Sequence, residues 1–406
     1  MPPLRRLKLQ ARAAAAMLLV SASRRLWRQP LGREETFAIL KRWTVRTEQH
    51  DDIAIPRLPS LNGTVFPYFD AFMARFSPNY VWDLRVDSSV RSLSLCRSGT
   101  VLVNGEFLLN LDFGAARGVL DAPWKRRYHT YDTVVVPWTH LYGTYYDFII
   151  FVLSKLCRIE HHFGPKLWHE AIVCYPLLHT AFETEFLDQL GIPRDRIVDT
   201  KPWQVGIQAQ RAILGNSQAW FTPSPRDLQR IRERFLPAPD GPPSLRLYVS
   251  RGGSRRVRNE SEVRQVLQKF DFHIVEDGRR SVAEQIRLFQ RASALVGPHG
   301  AGLTNMLWCN RGTPVLELFQ DRYMPPFYYH LSYLLGHPYR YLVGVRPSHR
   351  SGPDSVDRAR PAPPQPGGAV LSPGLRAHSG EDMIIDPAML ARAIEMLVSP
   401  QAPDAT

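Results

Sequence analysis

The chain has 406 residues, of which 44% are hydrophobic, and this is enough for two domains that each bury a core. Its formal net charge of +13 indicates an anionic partner or substrate. The four cysteines form no C-x-x-C pair and no histidine cluster accompanies them at zinc spacing, which argues against a zinc-finger or disulfide-rich protein and favours a reducing compartment.

Residues 1–30 are predicted to form a basic amphipathic extension. They hold seven Lys and Arg and no Asp or Glu, and apolar residues recur at spacings of three and four. This pattern is typical of a helix that lies on an anionic membrane surface. The apolar run 13–22 is shorter than the ~20 residues that a membrane-spanning helix needs. A signal peptide and a solvated basic tail are the alternatives.

Residues 31–222 are predicted to form the first domain. Short β-like runs separated by turn signals precede a mostly apolar helix, and a strand–helix–strand pattern follows. In chain order, the predicted strands and helices are strands 81–86, 92–96, 101–103, 107–111 and 134–136, helix 145–160, strand 167–174, helix 181–190 and strand 196–198.

A Pro- and Gly-rich linker over 223–243, with a helix at 225–235, separates this domain from a second one over 244–347. There, strands 245–250, 273–275, 294–296 and 315–319 alternate with helices 260–269 and 282–291. The alternation predicts a parallel sheet covered by helices. Residues 348–380 are rich in Pro, Gly, Ser and Arg, which is typical of a disordered insertion or lid. The last segment, 381–399, is predicted to hold a helix over 387–398 with Asp386 as its N-cap.

The stretch from Val296 to Asn305 has the pattern of a strand, a Gly-rich turn and a helix start. Such a turn offers free backbone N–H groups and the positive end of a helix dipole, which together attract phosphate. His299 lies in the turn and can donate a hydrogen bond to an anion, while Gly300 and Gly302 permit close approach of the backbone.

A second loop follows strand 245–250 and is rich in arginine. Five arginines lie on this strand and in the loop after it, around a Gly-Gly turn: Arg246, Arg251, Arg255, Arg256 and Arg258. Arg251 and Arg255 are predicted to bind phosphates, and a solvated charged loop is the alternative. Asn259 is interpreted as the N-cap of the next helix, because Glu262 stands three residues on, as in a capping box.

Two motifs carry a family resemblance. The string from His299 to Asn305, followed by Pro314-Val315-Leu316-Glu317-Leu318, resembles glycosyltransferase family 61, and the Ser250–Glu260 loop resembles that family's donor loop. Plant β-1,2-xylosyltransferases and animal protein O-GlcNAc and O-mannose-linked GlcNAc transferases belong to this family. The resemblance implies an α/β protein of GT-B architecture, with two Rossmann-like domains facing a cleft and a C-terminal helix that packs back across it. We expect a bacterial member.

The resemblance also implies roles on the donor side. His299 is expected to be catalytic and to touch the donor, and Glu317 is expected to accept hydrogen bonds from ribose hydroxyls. Further donor contacts are expected from Arg251, Arg255, Gly300, Ala301, Gly302, Thr304 and Asn305, although Thr304 and Asn305 could instead cap the helix. The second domain has no Asp-x-Asp pair, so a metal-free reaction without a cofactor is the simpler expectation.

The acceptor side is expected in the first domain. The run from Gly143 to Phe148 resembles the start of a family helix, where the usual pattern is Asn-Tyr-Tyr-His-Phe. Here Thr144 replaces the Asn and Asp147 replaces the His. Asp147 is the candidate general base, or it only complements the helix N-terminus. His140 is a second candidate.

Together these patterns and the family resemblance predict a metal-independent glycosyltransferase that moves a sugar from a UDP-sugar donor to a saccharide or glycolipid acceptor. Inversion at the anomeric carbon is what the resemblance implies. A catalytically lapsed relative that binds a nucleotide sugar or a partner protein is the first alternative. A nucleic-acid binder is the second, but the chain lacks an RNA-recognition or helix-turn-helix signature, and no nucleic-acid partner is expected. A cytoplasmic location, peripheral at an inner membrane, fits the basic extension.

Overall fold

The structure is a computed structural model that describes residues 31–61, 63–95, 100–109, 111, 127–137, 143–202, 205–216, 222–276, 278, 280–347 and 380–399. The basic extension 1–30, the insertion over 348–379 and His140 therefore lie outside the described residues. The chain divides into two compact units. Unit 1 is Met1–Gln49, Pro78–Gly143 and Asp147–Ser217, and unit 2 is His50–Ser77, Thr144–Tyr146 and Gln218–Thr406.

The division differs from the predicted boundary in two segments, 50–77 and 144–146, which the sequence placed in the first domain. Aromatic packing ties the longer segment to unit 2. The ring of Phe69 is fully buried and stacks on Tyr341 at 4.3 Å between centroids, and the Tyr329 hydroxyl donates to the Pro56 carbonyl oxygen at 2.5 Å.

The strands within the described residues follow in chain order. They are β1 Thr44–Glu48, β2 Ile53–Ile55, β3 Phe72–Ala74, β4 Asn79–Arg85, β5 Leu93–Leu95, β6 Val101–Val103, β7 Glu106–Phe107, β8 Arg127–Val136, β9 Ile172–Tyr175, β10 Ile197–Asp199, β11 Val205–Gly215, β12 Leu245–Val249, β13 Phe272–Val275, β14 Ala292–Pro298, β15 Val315–Gln320 and β16 Tyr339–Gly344.

The helices within the described residues follow in chain order. They are α1 Arg33–Lys41, α2 Ser154–Phe163, α3 Leu167–Glu170, α4 Ala181–Gln189, α5 Pro225–Phe235, α6 Glu260–Gln268, α7 Val282–Gln290, α8 Phe327–Leu335 and α9 Pro387–Val398, with 3-10 helices at Pro67–Phe69, Arg194–Arg196 and Ala301–Trp308. A helical turn, Tyr145–Asp147, and a π-helix, Phe148–Leu153, lead into α2. None of the helices in the described ranges is long and apolar enough to cross a membrane.

The predicted strand over 167–174 is wrong in its first half. Residues Leu167–Glu170 form α3, and the strand is Ile172–Tyr175. Leu167 and Trp168 are buried as consecutive residues of a single helical turn, so the short apolar run did not distinguish a strand from a buried helix.

Unit 1 is built on a mixed sheet. Strands β10-β9-β8-β11 are parallel and stand in the order third, second, first, fourth, which is the order in half of a Rossmann sheet. The other edge of β11 pairs antiparallel with both β4 and β5, and β1, β6 and β7 continue the sheet antiparallel. The expectation of a Rossmann-like first domain therefore describes only the four parallel strands.

Unit 2 is built on a parallel sheet in the order β13-β12-β14-β15-β16. This confirms the predicted α/β class and the parallel sheet of the second domain. In sequence order the strands stand 2-1-3-4-5, so the order reverses between β12 and β14. That doubly wound order places helices on both faces and leaves a crevice at the reversal.

The C-terminal helix α9 belongs to the core of unit 2. Asp386 caps it as predicted, accepting from the N–H groups of Ala388 and Met389 at 2.8 and 3.0 Å. Its buried residues form one face that packs with side chains of α6, β15 and β16: Leu390, Ala393, Ile394 and Leu397. Its apolar face is therefore buried within unit 2. That the helix packs back across a cleft stays a prediction.

The side chain of Asn259 binds a distant segment instead of capping α6 as predicted. It stands at the N-cap position of α6, but its side chain makes no capping hydrogen bond there. Its amide group donates to the Ile385 carbonyl oxygen at 2.7 Å, and its amide oxygen accepts from the Ile385 N–H at 3.0 Å. The side chain therefore fastens the segment before α9 to the start of α6.

Candidate functional site

The two loops singled out in the second domain meet at the strand reversal of unit 2. Strand β12 ends at Val249 and leads into Arg251, while β14 ends at Pro298 and leads into His299. The pairing of Tyr248 with Val296 sets the two carboxyl ends level. Ligands of doubly wound sheets bind at such a reversal, at the carboxyl ends of the strands.

The guanidinium group of Arg251 lies directly against the backbone of Gly300. A Cβ atom on Gly300 would stand 1.8 Å from Nη1 of Arg251 and 2.8 Å from its Cζ, so any side chain there would displace the guanidinium group. Nε of Arg251 donates to the Ser254 carbonyl oxygen, which helps to hold this position. The contact places a cation at the N-terminus of the 3-10 helix Ala301–Trp308, where phosphate-binding N–H groups would be offered.

The other two glycines of the turn serve packing. A Cβ atom on Gly302 would stand 2.8 Å from Cγ1 of Val249, and one on Gly297 would stand 3.2 Å from the Val249 carbonyl oxygen. The absence of a side chain at both glycines therefore lets the turn pack closely against the end of β12. The expected donor role of Gly302 is thus indirect, since it lets the two loops approach each other.

His299 is fixed by two buried partners. Its Nδ1 lies 2.5 Å from Oε1 of Glu317, and the Tyr339 hydroxyl donates to Oε2 of the same carboxyl group. His299 is 4% exposed and Glu317 is 0% exposed. Because both oxygens of Glu317 are engaged inside the protein, the side chain does not reach out to a ribose, as the sequence suggested, but orients the imidazole ring.

Burial and nearby positive charge disfavour the charged form of His299. Burial holds the pKa of His299 well below its usual value, and the positive charges of Arg255 and Arg251 lower it further. Burial also raises the pKa of Glu317 well above its usual value. A ring N–H beside two guanidinium groups is suited to an anionic ligand.

Aromatic rings enclose the imidazole. The His299 ring stacks on Phe319 at 5.2 Å, meets Tyr323 edge-on at 5.4 Å, and lies 5.4 Å from Tyr328. The Arg255 guanidinium group lies over Tyr323 at 5.3 Å from the ring centroid. Arg255 has a φ of 63°, a left-handed conformation that is unfavourable for a residue with a side chain and that recurs at ligand sites.

The remaining arginines of the cluster are directed elsewhere. Arg246 donates to the Phe270 carbonyl oxygen at 2.9 Å, and it lies near the amino end of β12, away from the reversal. Arg256 and Arg258 both pair with Asp382, at 3.3 and 3.1 Å. Arg251 and Arg255 are therefore the members of this cluster that stand beside His299. Their binding of donor phosphates stays a prediction.

Two other predicted donor contacts lie inside the protein. Thr304 is 0% exposed, and its hydroxyl has no hydrogen-bond partner within the described ranges. Asn305 donates to the Gly302 carbonyl oxygen and accepts from Gln285, both at 2.9 Å, so its amide group braces the turn against α7. Ala301 is the first residue of the 3-10 helix.

The sequence did not predict the contacts that three tyrosines make around the Gly-rich turn: Tyr339, Tyr323 and Tyr145. Tyr145 accepts a hydrogen bond from Nε1 of Trp308 at 3.1 Å, beneath the 3-10 helix of the turn. The ring of Tyr146 packs on Tyr328 at 5.8 Å. These contacts explain why residues 144–146 belong to unit 2. No local signal distinguishes such tyrosines from ordinary core aromatics, because their partners are distant in sequence.

Asp147 lies in unit 1 and ends the helical turn Tyr145–Asp147. It is 8% exposed and is followed by the π-helix Phe148–Leu153. The order of the parallel strands reverses between β8 and β11, so this helix starts beside the ligand-binding edge of the unit 1 sheet. The position suits a general base, and it equally suits a carboxylate that complements the helix N-terminus.

The fold and this geometry define an α/β protein whose second unit gathers two arginines and a buried histidine at the strand reversal of its sheet. The chain matches the family model for glycosyltransferase 61 over residues 68–316 and therefore belongs to that family. It is 31% identical over 86 residues to a β-1,2-xylosyltransferase of rice, Oryza sativa subsp. japonica. That alignment covers 19% of this chain and 16% of the rice protein, so the chain spans about a sixth of the length of this relative.

Proposed function

We propose that the protein is a glycosyltransferase that moves a sugar from a nucleotide-sugar donor, a UDP-sugar, to a saccharide or glycolipid acceptor. The proposal includes inversion at the anomeric carbon, a metal-independent reaction and the GT-B arrangement. Family membership supports the reaction class. The rice relative is named as a β-1,2-xylosyltransferase, which agrees with a sugar nucleotide as the donor.

One observation carries the proposal: the Arg251 guanidinium group rests on Gly300 beside the buried His299. A departing nucleoside diphosphate develops negative charge, and fixed donors already directed at that charge lower the barrier to its departure. Two guanidinium groups and a helix N-terminus can stabilise the diphosphate in the way that a divalent cation would. This supports a reaction without a metal.

The acceptor step needs a base, and Asp147 is our candidate. In the proposed reaction, the acceptor hydroxyl transfers its proton to the carboxylate and its oxygen bonds to the anomeric carbon. At the same time the bond from that carbon to the diphosphate oxygen breaks, and the nucleoside diphosphate leaves on the opposite side. Displacement from opposite sides gives inversion.

Isothermal titration with UDP tests the donor site. We expect binding by the wild type and at least tenfold weaker binding by Arg251→Ala and His299→Ala, because each substitution removes a hydrogen-bond donor from the phosphate cradle. Arg246→Ala is the matched control, since this arginine stands on the same strand but away from the reversal. Wild-type protein that binds no nucleoside diphosphate would refute the donor assignment.

The same titration separates an active enzyme from a lapsed one. An enzyme releases UDP from UDP-sugars when an acceptor is present, and Asp147→Asn abolishes the release while UDP affinity is retained. A protein that binds UDP but never turns over a donor, with a panel of saccharide and glycolipid acceptors, would instead be a nucleotide-sugar-binding member of the family.

A further inference from the structure

A histidine–aspartate pair stands at the carboxyl edge of the unit 1 sheet, outside the residues already discussed. Nε2 of His179 lies 2.7 Å from Oδ2 of Asp199. Asp199 ends β10 and pairs with Tyr175 at the end of β9, and His179 lies in the loop that follows β9. The side chain of His179 is 63% exposed and that of Asp199 is 18% exposed, so the pair faces solvent.

The loop that presents His179 is held in an unfavourable conformation. His179 has a φ of 58°, which residues with a side chain rarely adopt. The carboxylate of Glu183, 2% exposed, accepts from the N–H groups of His179 and Leu178 at 2.7 and 3.0 Å and from the Tyr175 hydroxyl at 2.8 Å. A buried carboxylate thus maintains the strained loop, and maintained strain of this kind is concentrated at functional sites.

Asp199 is equally fixed. Its Oδ1 accepts from the N–H groups of Leu177 and Lys201 at 3.1 and 2.8 Å, which leaves Oδ2 for the imidazole. This arrangement orients the ring of His179. Within the described residues, Nδ1 of His179 has no protein partner, so this nitrogen is available to a ligand.

Two hydroxyl groups beside the pair lack partners. The hydroxyl oxygens of Thr180 and Thr200 are buried and make no hydrogen bond to any residue that the structure describes. Thr180 follows His179, and Thr200, which is 1% exposed, follows Asp199. A buried hydroxyl without a partner is unfavourable unless a water molecule or a ligand completes it.

The pair lies on the same edge of unit 1 as Asp147. The ring of Phe182, in the first turn of α4, contacts the ring of Phe148 at 5.7 Å between centroids. Phe148 directly follows Asp147 in the chain. All of these residues belong to unit 1, so the loop after β9 and the start of the helix after β8 are neighbours within one compact unit.

We propose that His179, Asp199, Thr180 and Thr200 form a saccharide-binding site that holds the hydroxyl groups of the acceptor. The inference rests on the proposed function and names the acceptor subsite of the same enzyme. Vicinal sugar hydroxyls both donate and accept hydrogen bonds, and two hydroxyls and an imidazole that a carboxylate orients complement them. An anionic ligand fits poorly, because the carboxylates of Asp199 and Glu183 would repel it.

Saturation-transfer NMR tests the site directly. The probes are the methyl glycosides of xylose, galactose, mannose and N-acetylglucosamine, added to the full-length protein. We expect saturation transfer to at least one glycoside, with an affinity that falls at least tenfold in His179→Ala and in Thr200→Val. His169→Ala is the matched control, since this exposed histidine of the same unit lies in α3. Melting temperatures show whether each variant is folded.

Two results would overturn the inference: no saturation transfer to any of the four glycosides, or equal affinity in the wild type and in both folded variants. A transfer assay gives a second readout. The acceptor KM rises in His179→Ala while kcat stays within a few-fold and UDP affinity is unchanged. A fall in kcat at constant acceptor KM contradicts a binding role.

Failure of this inference is distinguishable from failure of the proposed function. If UDP binds through Arg251 and no glycoside binds, the donor assignment stands and the acceptor site is refuted. If a glycoside binds through His179 and UDP does not bind, the acceptor site stands and the donor assignment is refuted.

Discussion

The substitution Gly300→Ala tests the proposed binding of donor phosphates by Arg251 separately from the stability of the fold. Gly300 has a φ of 167°, which is extended backbone that alanine adopts without strain. The new methyl group would stand 1.8 Å from Nη1 of Arg251, so one of the two must move. The far end of an arginine side chain is flexible, and we therefore expect the guanidinium group to be displaced while the backbone keeps its place.

The substitution should change the stability of the fold much less than it changes UDP binding. Alanine restricts the unfolded chain and stabilises the folded state by about 0.4–1 kcal/mol, which offsets the loss of the contact with Arg251. The free energy of unfolding should therefore change by less than about 1 kcal/mol. A lost hydrogen bond to a charged group costs about 1.5–3 kcal/mol of binding free energy, and this weakens UDP binding about 10- to 150-fold.

Isothermal titration with UDP and urea denaturation measure the two quantities. Gly253→Ala is the matched control, because Gly253 lies in the same arginine loop and a Cβ atom there would meet nothing within 4 Å. A double-mutant cycle with Arg251→Ala adds a second check. If Gly300→Ala acts by moving Arg251, it has no further effect on affinity once Arg251 is absent.

Unchanged UDP affinity in Gly300→Ala would refute the assignment of Arg251 to the donor phosphates. Equal losses of UDP affinity in Gly300→Ala and Gly253→Ala would show that the loop tolerates no extra methyl group. The contact between Gly300 and Arg251 would then not account for the weaker binding. A large loss of stability in Gly300→Ala would mean that the guanidinium group of Arg251 cannot move away from the new methyl group.

Three further substitutions test the surroundings of the site by urea denaturation. Tyr339→Phe leaves a buried oxygen of Glu317 without its donor and should lower the free energy of unfolding by about 1–3 kcal/mol; no change would contradict the observed hydrogen bond. Asn259→Asp keeps a good N-cap residue but loses the donor to Ile385, so it should destabilise by a similar amount, whereas a residue that only capped α6 would tolerate it. Burial lowers the pKa of His337 to about 4, so its share of stability is present above about pH 6.5 and is lost as the pH falls towards 4. From pH 7 to 5 the wild type should lose about 2 kcal/mol more than His337→Gln, and parallel pH profiles would contradict this.

The alternation of strands and helices in the second domain was predictable because each element depends on local periodicity. Helix 387–398 needed only its apolar spacing and the Asp386 cap, and both were correct. What that helix packs against was not predictable, because an apolar face specifies burial and leaves the partner open. The expected position across a cleft stays a prediction for this reason.

The arginine cluster likewise shows that the sequence does not specify which distant residue a side chain contacts. Its side chains are chemically equivalent in the sequence, and the pairing of Asp382 with Arg256 and Arg258 depends on a carboxylate more than 120 residues away. Glu317 was expected to face a ribose, since a strand-end carboxylate often does. Parallel pairing of β15 with β14 and β16 instead places His299 and Tyr339 beside it.

By itself, the sequence determined the Gly-rich turn, the arginine loop, the α/β class of the second domain and the family resemblance that the comparison confirmed. These features are local, because a glycine, an arginine or an apolar repeat acts within a few residues of its own position. Tertiary structure alone decided that Arg251 rests on Gly300, that Glu317 orients His299, and that His179 meets Asp199. Each of those contacts requires the register between strands that are distant in the chain, and that register is set only when the whole sheet is packed.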